Sequence, residues 1–205
     1  MLGSTRPVVH LHVPKTGGTS VREVLREKWP RLNFDGQCYS DHFDQRAGHT
    51  VEGVTGRAPS EVDLVLFLRD PFEQARSFYR YWRDIAGAVL TIHGREHVRP
   101  PTFDDFLARD LIDWMSYLPG PADSYPDALD GYAFVGFVES FVDDVRELRR
   151  LLGLPSGAQV PHLLSTERSA TDLSADQYMR LREYYCANHP QWVGVYDYAR
   201  ALRGT

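Results

Sequence analysis

The segment Val13-Pro14-Lys15-Thr16-Gly17-Gly18-Thr19-Ser20 collects groups that grip an anion. Two glycines let backbone N–H groups approach a ligand without interference from a Cβ. Thr16, Thr19 and Ser20 add hydroxyl donors, and Lys15 adds a full positive charge. If the segment opens a helix, the positive end of the helix dipole favours the same anion. Lys15 stands out because the chain has only one other lysine, Lys28, and otherwise writes its cations as arginine. A compact ammonium suits a single developing charge better than a planar fork does. The order differs from the triphosphate loop G-x-x-x-x-G-K-[ST], since here the lysine precedes the glycines and the spacing is shorter. Taken alone, these residues also fit a tight turn capped by Thr or Ser.

A second candidate anion site is Leu68-Arg69-Asp70-Pro71, with Ser77 two helical turns further on. A guanidinium and a hydroxyl together hold a phosphate through charge-assisted hydrogen bonds. Local pairing of Arg69 with Asp70 or Glu73 is the alternative for this element alone. The two sites together imply one ligand with two separate anionic groups, such as a nucleotide phosphorylated at both its 5′ and 3′ ends.

Three strands would position these groups: residues 8–13 (VVHLHV), 63–68 (DLVLFL) and 132–138 (YAFVGFV). Continuous apolar runs of this kind suit parallel strands buried on both faces. Helices are expected over 18–28, stopped by Trp29-Pro30, and over 72–85, with Pro71 as the first residue. Thr102 caps a short helix, Ser140 caps an amphipathic one over 141–152 that stops at Gly153, and a last helical region spans 175–203 with a break near Pro190. Residues 31–56 are less regular, 87–101 read as a mobile connection, 118–126 as a turn-rich loop and 156–174 as a polar connection. Strands alternating with helices imply an α/β fold with a central, mainly parallel sheet. Ligands of such sheets sit at the carboxyl ends of the strands, where both anion segments fall.

The chain has 205 residues, 42% hydrophobic and 25% charged, which suits a single domain over 1–205. Its formal net charge is −5 with no basic block. Indiscriminate binding to nucleic acid or anionic membrane is therefore disfavoured, and an anionic ligand must be drawn by a local cluster. Cys38 and Cys186 are too few and too far apart for a disulfide framework or a zinc motif, which fits a reducing compartment. No signal-peptide core opens the chain and no window approaches a membrane span. The expected location is cytoplasmic, either as this chain or as a domain of a larger one.

The pair HVPKTGGTS (12–20) and LFLRDPFEQARSFYRY (66–81) resembles the 5′-phosphosulfate loop and 3′-phosphate site of sulfotransferases that use 3′-phosphoadenosine 5′-phosphosulfate (PAPS). The nearest branch is that of the carbohydrate 2-O-sulfotransferases and their small bacterial relatives, and arginine-rich usage fits a GC-rich bacterial genome. Weaker similarity continues through Ala47-Gly48-His49, Phe134-Val135-Gly136-Phe137-Val138-Glu139 and the tail over 192–199, so the resemblance covers most of the chain in order. It implies a P-loop-like three-layer sandwich and metal-free transfer of a sulfuryl group to a hydroxyl of a small metabolite or saccharide. Lys15 and the N–H groups of Gly17, Gly18, Thr19 and Ser20, with Thr16, would hold the phosphosulfate end; Arg69 and Ser77 would hold the 3′-phosphate. Arg168 and Ser169, in the hydroxyl-rich stretch 164–173, would close over the nucleotide, although a loop leading to Ser174 as a helix cap is an equal reading. One departure is Gln74, where related sequences often carry arginine, which leaves the contacts of that helix open.

A hydroxyl acceptor needs a base. His49, His42, Asp41, Asp44 and Glu52 are the candidates. Imidazole titrates near neutral pH, and the resemblance points to the Gly48-His49 element. His10 and His12 are expected within the sheet, and His93 and His97 in an exposed loop. Phe78 and Trp82 share a core-facing helix side, while Tyr79, Arg83, Trp114 and Tyr117 are candidates to line an acceptor cleft. Two other functions fit the loops: a Mg²⁺-dependent kinase with an altered phosphate loop, and a nucleotide-binding module without turnover.

Overall fold

The computed structural model describes residues 1–84, 89–110, 112–119, 129–155 and 172–204. Four parallel strands form the central sheet: β1 (Val8–Leu11), β2 (Cys38–Asp41), β3 (Asp63–Leu68) and β6 (Phe134–Phe137), in the order β2-β1-β3-β6. The register pairs Val8 with both Cys38 and Asp63, and Val65 with Phe134. Two further strands, β4 (Val89–Ile92) and β5 (Arg95–Val98), make an antiparallel hairpin outside this sheet.

Alternation along the strands sorts side chains into two apolar layers. Val8, Val65, Phe67 and Phe134 face one side, covered by α1 (Gly18–Lys28) and α5 (Phe141–Leu152). Val9, Leu11, Leu64, Leu66, Leu68 and Phe137 face the other. There they pack with α3 (Pro71–Asp84), α6 (Ala175–Asn188) and α7 (Pro190–Arg203). Helices on both faces of a parallel sheet make the expected three-layer α/β sandwich. Two short helices, α2 (Val51–Thr55) and α4 (Phe103–Arg109), complete the described elements of regular helix.

Several helix ends follow their sequence signals. Thr102 and Asp105 form a capping box at α4, and Ser174 and Gln177 form one at α6. The Asp70 carboxylate accepts from the N–H groups of Phe72 and Glu73, so Pro71 sits at the first position of α3, where its missing N–H costs nothing. Pro190 opens α7 directly after α6 ends.

Three expectations need correction. Ser140 precedes α5 but does not cap it through its side chain. Its hydroxyl instead donates to the Asp144 carboxylate (2.8 Å), which also accepts from the Phe137 N–H (2.6 Å) and the Arg203 guanidinium. A fully buried carboxylate outbids the backbone for that hydroxyl. Residues 31–56 contain an edge strand, β2, whose sequence CYSD carries no apolar run because it alternates buried and half-buried positions. The stretch 87–101, expected as a mobile connection, contains the β4–β5 hairpin. His93 and Gly94 both adopt left-handed conformations (φ 50° and 73°), as a tight two-residue hairpin turn requires.

Candidate active site

The phosphate-type loop leaves β1 at Leu11 and enters α1 at Gly18. Its backbone is unusual at two places. Gly17 is left-handed at φ 78°, and so is Lys15 at φ 67°. For a residue with a Cβ that conformation costs about 1–2 kcal/mol, a strain of the kind that gathers at functional sites. Gly18 is fixed by contact rather than by φ: a Cβ there would lie 1.9 Å from the His12 ring. With glycine at the N-cap of α1, no capping side chain competes for the helix's first-turn N–H groups. The N–H groups of Gly18 and Thr19 face no capping side chain and suit a ligand anion, while the Ser20 N–H donates to the Gly17 carbonyl (3.0 Å).

The loop is held from below. The Thr16 hydroxyl, expected among the anion donors, turns inward and donates to the Val13 carbonyl (2.9 Å), fully buried, so this side chain supports the turn. The Gln74 side chain, fully buried in α3, donates to the Pro14 carbonyl (2.8 Å) and accepts from the Trp192 indole of α7 (3.0 Å). Gln74 thus ties the loop to α7.

Lys15 rises from this loop with its ammonium 4.4 Å from the centre of the Tyr81 ring, a cation–π contact. Burial, helped by the Arg69 and Arg80 guanidinium groups, lowers its pKa to about 8. Arg69 emerges where β3 ends, and its Nη1 lies 3.5 Å from the Lys15 carbonyl oxygen. Burial also lowers the Arg69 pKa, partly offset by Glu73, Glu139 and Asp70. The Asp70 N–H donates to Glu139 (2.8 Å), which joins the ends of β3 and β6. The repulsion that Arg69 adds at Lys15 is one that an anion bound between them would relieve.

One cavity of about 730 Å³ is lined by Lys15, Gly17, Gly18, Thr19, Ser20, Arg69 and Ser77. It is therefore bounded by both candidate anion sites, and its volume suits a small-molecule ligand. The lining also includes His42, Asp44, His49 and the turn of the β4–β5 hairpin. Glu52, in the first turn of α2, is absent from this lining. Arg168 and Ser169 lie outside the described residues.

His49 is half-buried, stacks on Phe43 with ring centres 5.7 Å apart, and sets its Nε2 3.4 Å from the Asp41 carboxylate. Its backbone N–H donates to the Asp44 carbonyl (3.0 Å), and the Asp44 carboxylate accepts from the N–H groups of Arg46 and Ala47. Asp44 thereby shapes the turn that presents His49.

His93, expected in an exposed loop, is instead nearly buried against this turn. Its Nδ1 bonds the Asp44 carboxylate at 2.8 Å, and its Nε2 accepts from the Asp113 N–H at 3.1 Å. These partners define the neutral tautomer with the proton on Nδ1. Since both nitrogens are engaged, His93 fastens the hairpin to the His49 turn. The signal for it was present: a Gly after His, between β-prone VLTI and REHV, is a hairpin turn.

The remaining histidines and aromatic residues divide between the core and the cavity. His10 is packed inside the sheet as expected, bonded to Ser40 (2.8 Å), and burial lowers its pKa to about 3. His12 follows β1 rather than lying in it, stacks on His42 (4.0 Å between ring centres) and lines the cavity; burial holds it well below the usual imidazole range. Tyr79 is buried against Phe103 and Phe106, and Arg83 donates to the Pro101 carbonyl, so neither lines the cavity. Trp114 is buried core, stacked on Trp192. Phe78, Tyr81 and Tyr117 take the lining positions, Phe78 while remaining part of the core.

No protein-family model matches the chain, and no curated protein matches it in sequence. Among solved structures it is similar to mouse sulfotransferase SULT7A1 complexed with PAP, at 15% identity and a TM-score of 0.48, over 87% of this chain and 64% of that one. The chain thus spans less than two thirds of that protein's length.

Proposed function

We propose that this chain is a PAPS-dependent sulfotransferase, a single domain that moves a sulfuryl group to a hydroxyl of a small molecule in the cytoplasm. One observation carries this reading: a single cavity is bounded by the Lys15 loop, by Arg69 with Ser77, and by His49. A donor with a 5′-phosphosulfate and a 3′-phosphate needs two anion grips on one cavity, and an acceptor hydroxyl needs a base on the same cavity.

In this reading the loop N–H groups and the Lys15 ammonium face the phosphate oxygen that bridges to sulfur. Charge builds on that oxygen as its bond to sulfur breaks, and preorganised donors stabilise it. The acceptor oxygen forms the new S–O bond, and His49 takes the acceptor's proton. Asp41, 3.4 Å away, orients the imidazole and stabilises its protonated form. Arg69 and Ser77 hold the 3′-phosphate, and Arg168 and Ser169 are proposed to cover the nucleotide. The product nucleotide is 3′-phosphoadenosine 5′-phosphate.

A thermal-shift titration with that product and with ATP-Mg²⁺ tests the proposal against a kinase. At 100 times its dissociation constant a ligand stabilises by about 2.7 kcal/mol. The bisphosphate nucleotide is expected to raise the melting temperature at lower concentration than ATP-Mg²⁺; the reverse preference removes the sulfotransferase reading.

A further inference from the structure

The acceptor side of the cavity has a definite chemical character. Leu90 and Ile92, two positions apart on β4, line the cavity and are the more buried residues of the strand; the exposed Thr91 between them also reaches the lining with its hydroxyl-bearing side chain. Ile112, Tyr117, Phe78 and Tyr81 extend this apolar wall. Among the described lining residues the Lys and Arg side chains are Lys15 and Arg69, and both belong to the phosphate-loop corner, where Arg69 approaches the Lys15 carbonyl. The acid on the hairpin side is Asp44, held by His93, and Asp41 stands beside His49. An anionic acceptor presenting its hydroxyl to His49 would meet these carboxylates, whereas carboxylate and sulfate groups are bound by guanidinium forks. A sugar with many hydroxyls would leave several of them desolvated against Leu90 and Ile92.

We infer that the acceptor is a small uncharged alcohol or phenol with an apolar body, seated under the β4–β5 hairpin, and that Leu90 and Ile92 select it. This narrows the sequence-based expectation of a metabolite or saccharide, and it rests on the sulfotransferase reading above. The apolar body packs against the hairpin face. Its hydroxyl points toward His49 and the phosphate-loop corner.

Isothermal titration with 2-naphthol, methyl glucoside and methyl glucuronide, with and without 3′-phosphoadenosine 5′-phosphate, tests this on the whole chain. The naphthol is expected to bind more tightly than either sugar. Leu90→Glu is expected to weaken naphthol binding about tenfold or more, because it sets a charge against the apolar body. Leu90→Met, of similar volume, is expected to leave it within about twofold. Nucleotide affinity, proposed to rest on the phosphate loop, Arg69 and Ser77, is expected to be unchanged in both and reports that the variants are folded. If Leu90→Glu does not fold, Leu90→Ser takes its place, with an expected loss of about threefold or more. Tighter binding of the glucuronide or the glucoside overturns the inference, and so does naphthol binding that ignores Leu90. If the nucleotide fails to bind the wild type, the donor reading falls. The naphthol titrations without nucleotide still decide the character of the chamber.

Discussion

Replacing Gln74 with methionine isolates the support beneath the phosphate loop. The change keeps the volume but removes both hydrogen bonds of a fully buried side chain: the one to the Pro14 carbonyl at 2.8 Å and the one from the Trp192 indole at 3.0 Å. Each buried polar partner left without its bond costs about 1–3 kcal/mol. The expected loss of stability is therefore about 2–6 kcal/mol, a large part of the 5–15 kcal/mol typical of a domain. Trp192→Phe removes only the indole bond, with its share of packing. The two bonds meet on one side chain, so the effects should not add, and a double-mutant cycle should return a coupling of about 0.5–3 kcal/mol. Urea unfolding gives the stabilities, and a titration with 3′-phosphoadenosine 5′-phosphate on the folded variants reads the loop. Gln74→Met is expected to weaken the nucleotide as well, because Pro14 precedes Lys15 directly. A variant within about 0.5 kcal/mol of wild type, or a cycle that adds without coupling, would refute the idea that Gln74 ties the loop to α7.

Other expectations follow from the same geometry. The Lys15 pKa of about 8 makes nucleotide affinity fall as pH rises through that value, since the ammonium is lost while the phosphates are already ionised. By pH 9 the loss approaches about tenfold, and it is absent in Lys15→Ala; a flat profile in wild type between pH 7 and 9 would contradict it. The same group binds more protons unfolded than folded between its folded and ordinary pKa values, so it adds stability with rising pH above about 8. Lys15→Ala should lower turnover about 10²–10³-fold in a radiolabelled sulfate transfer assay, and near-normal turnover would remove Lys15 from the reaction. His49→Asn should remove the proposed base, lowering the rate while leaving nucleotide affinity unchanged. An unaltered rate excludes His49. His93→Phe breaks the bond to Asp44 and should loosen the hairpin, raising the acceptor KM more than the nucleotide KM; equal effects on both would assign His93 to general stability.

The sheet and its two helical layers were legible because their signals are local. VVHL and DLVLFL are mainly apolar runs, interrupted only by His10 and opened by Asp63, and the caps at Thr102 and Ser174 and the helix start at Pro71 sit where short-range rules put them. The two anion segments were legible for the same reason, each being a contiguous motif at a strand end. The acceptor side was not. β2 is an edge strand with polar residues, and the β4–β5 hairpin packs against distant turns, so its role depends on contacts such as His93 with Asp44 across 49 positions. Gln74 could be flagged only as a departure. Its partners Pro14 and Trp192 lie 60 and 118 positions away, and only the folded chain brings them together.

The claim that matters most is that Lys15 and Arg69 serve one doubly phosphorylated nucleotide. Calorimetric titration of wild type and Arg69→Ala with 3′-phosphoadenosine 5′-phosphate and with 5′-AMP, which lacks the 3′-phosphate, tests it directly. Wild type should prefer the bisphosphate strongly, and Arg69→Ala should lose most of that preference while binding 5′-AMP about as before. A variant that still discriminates as well as wild type would show that Arg69 grips no 3′-phosphate, and the two-grip cavity would have to be abandoned.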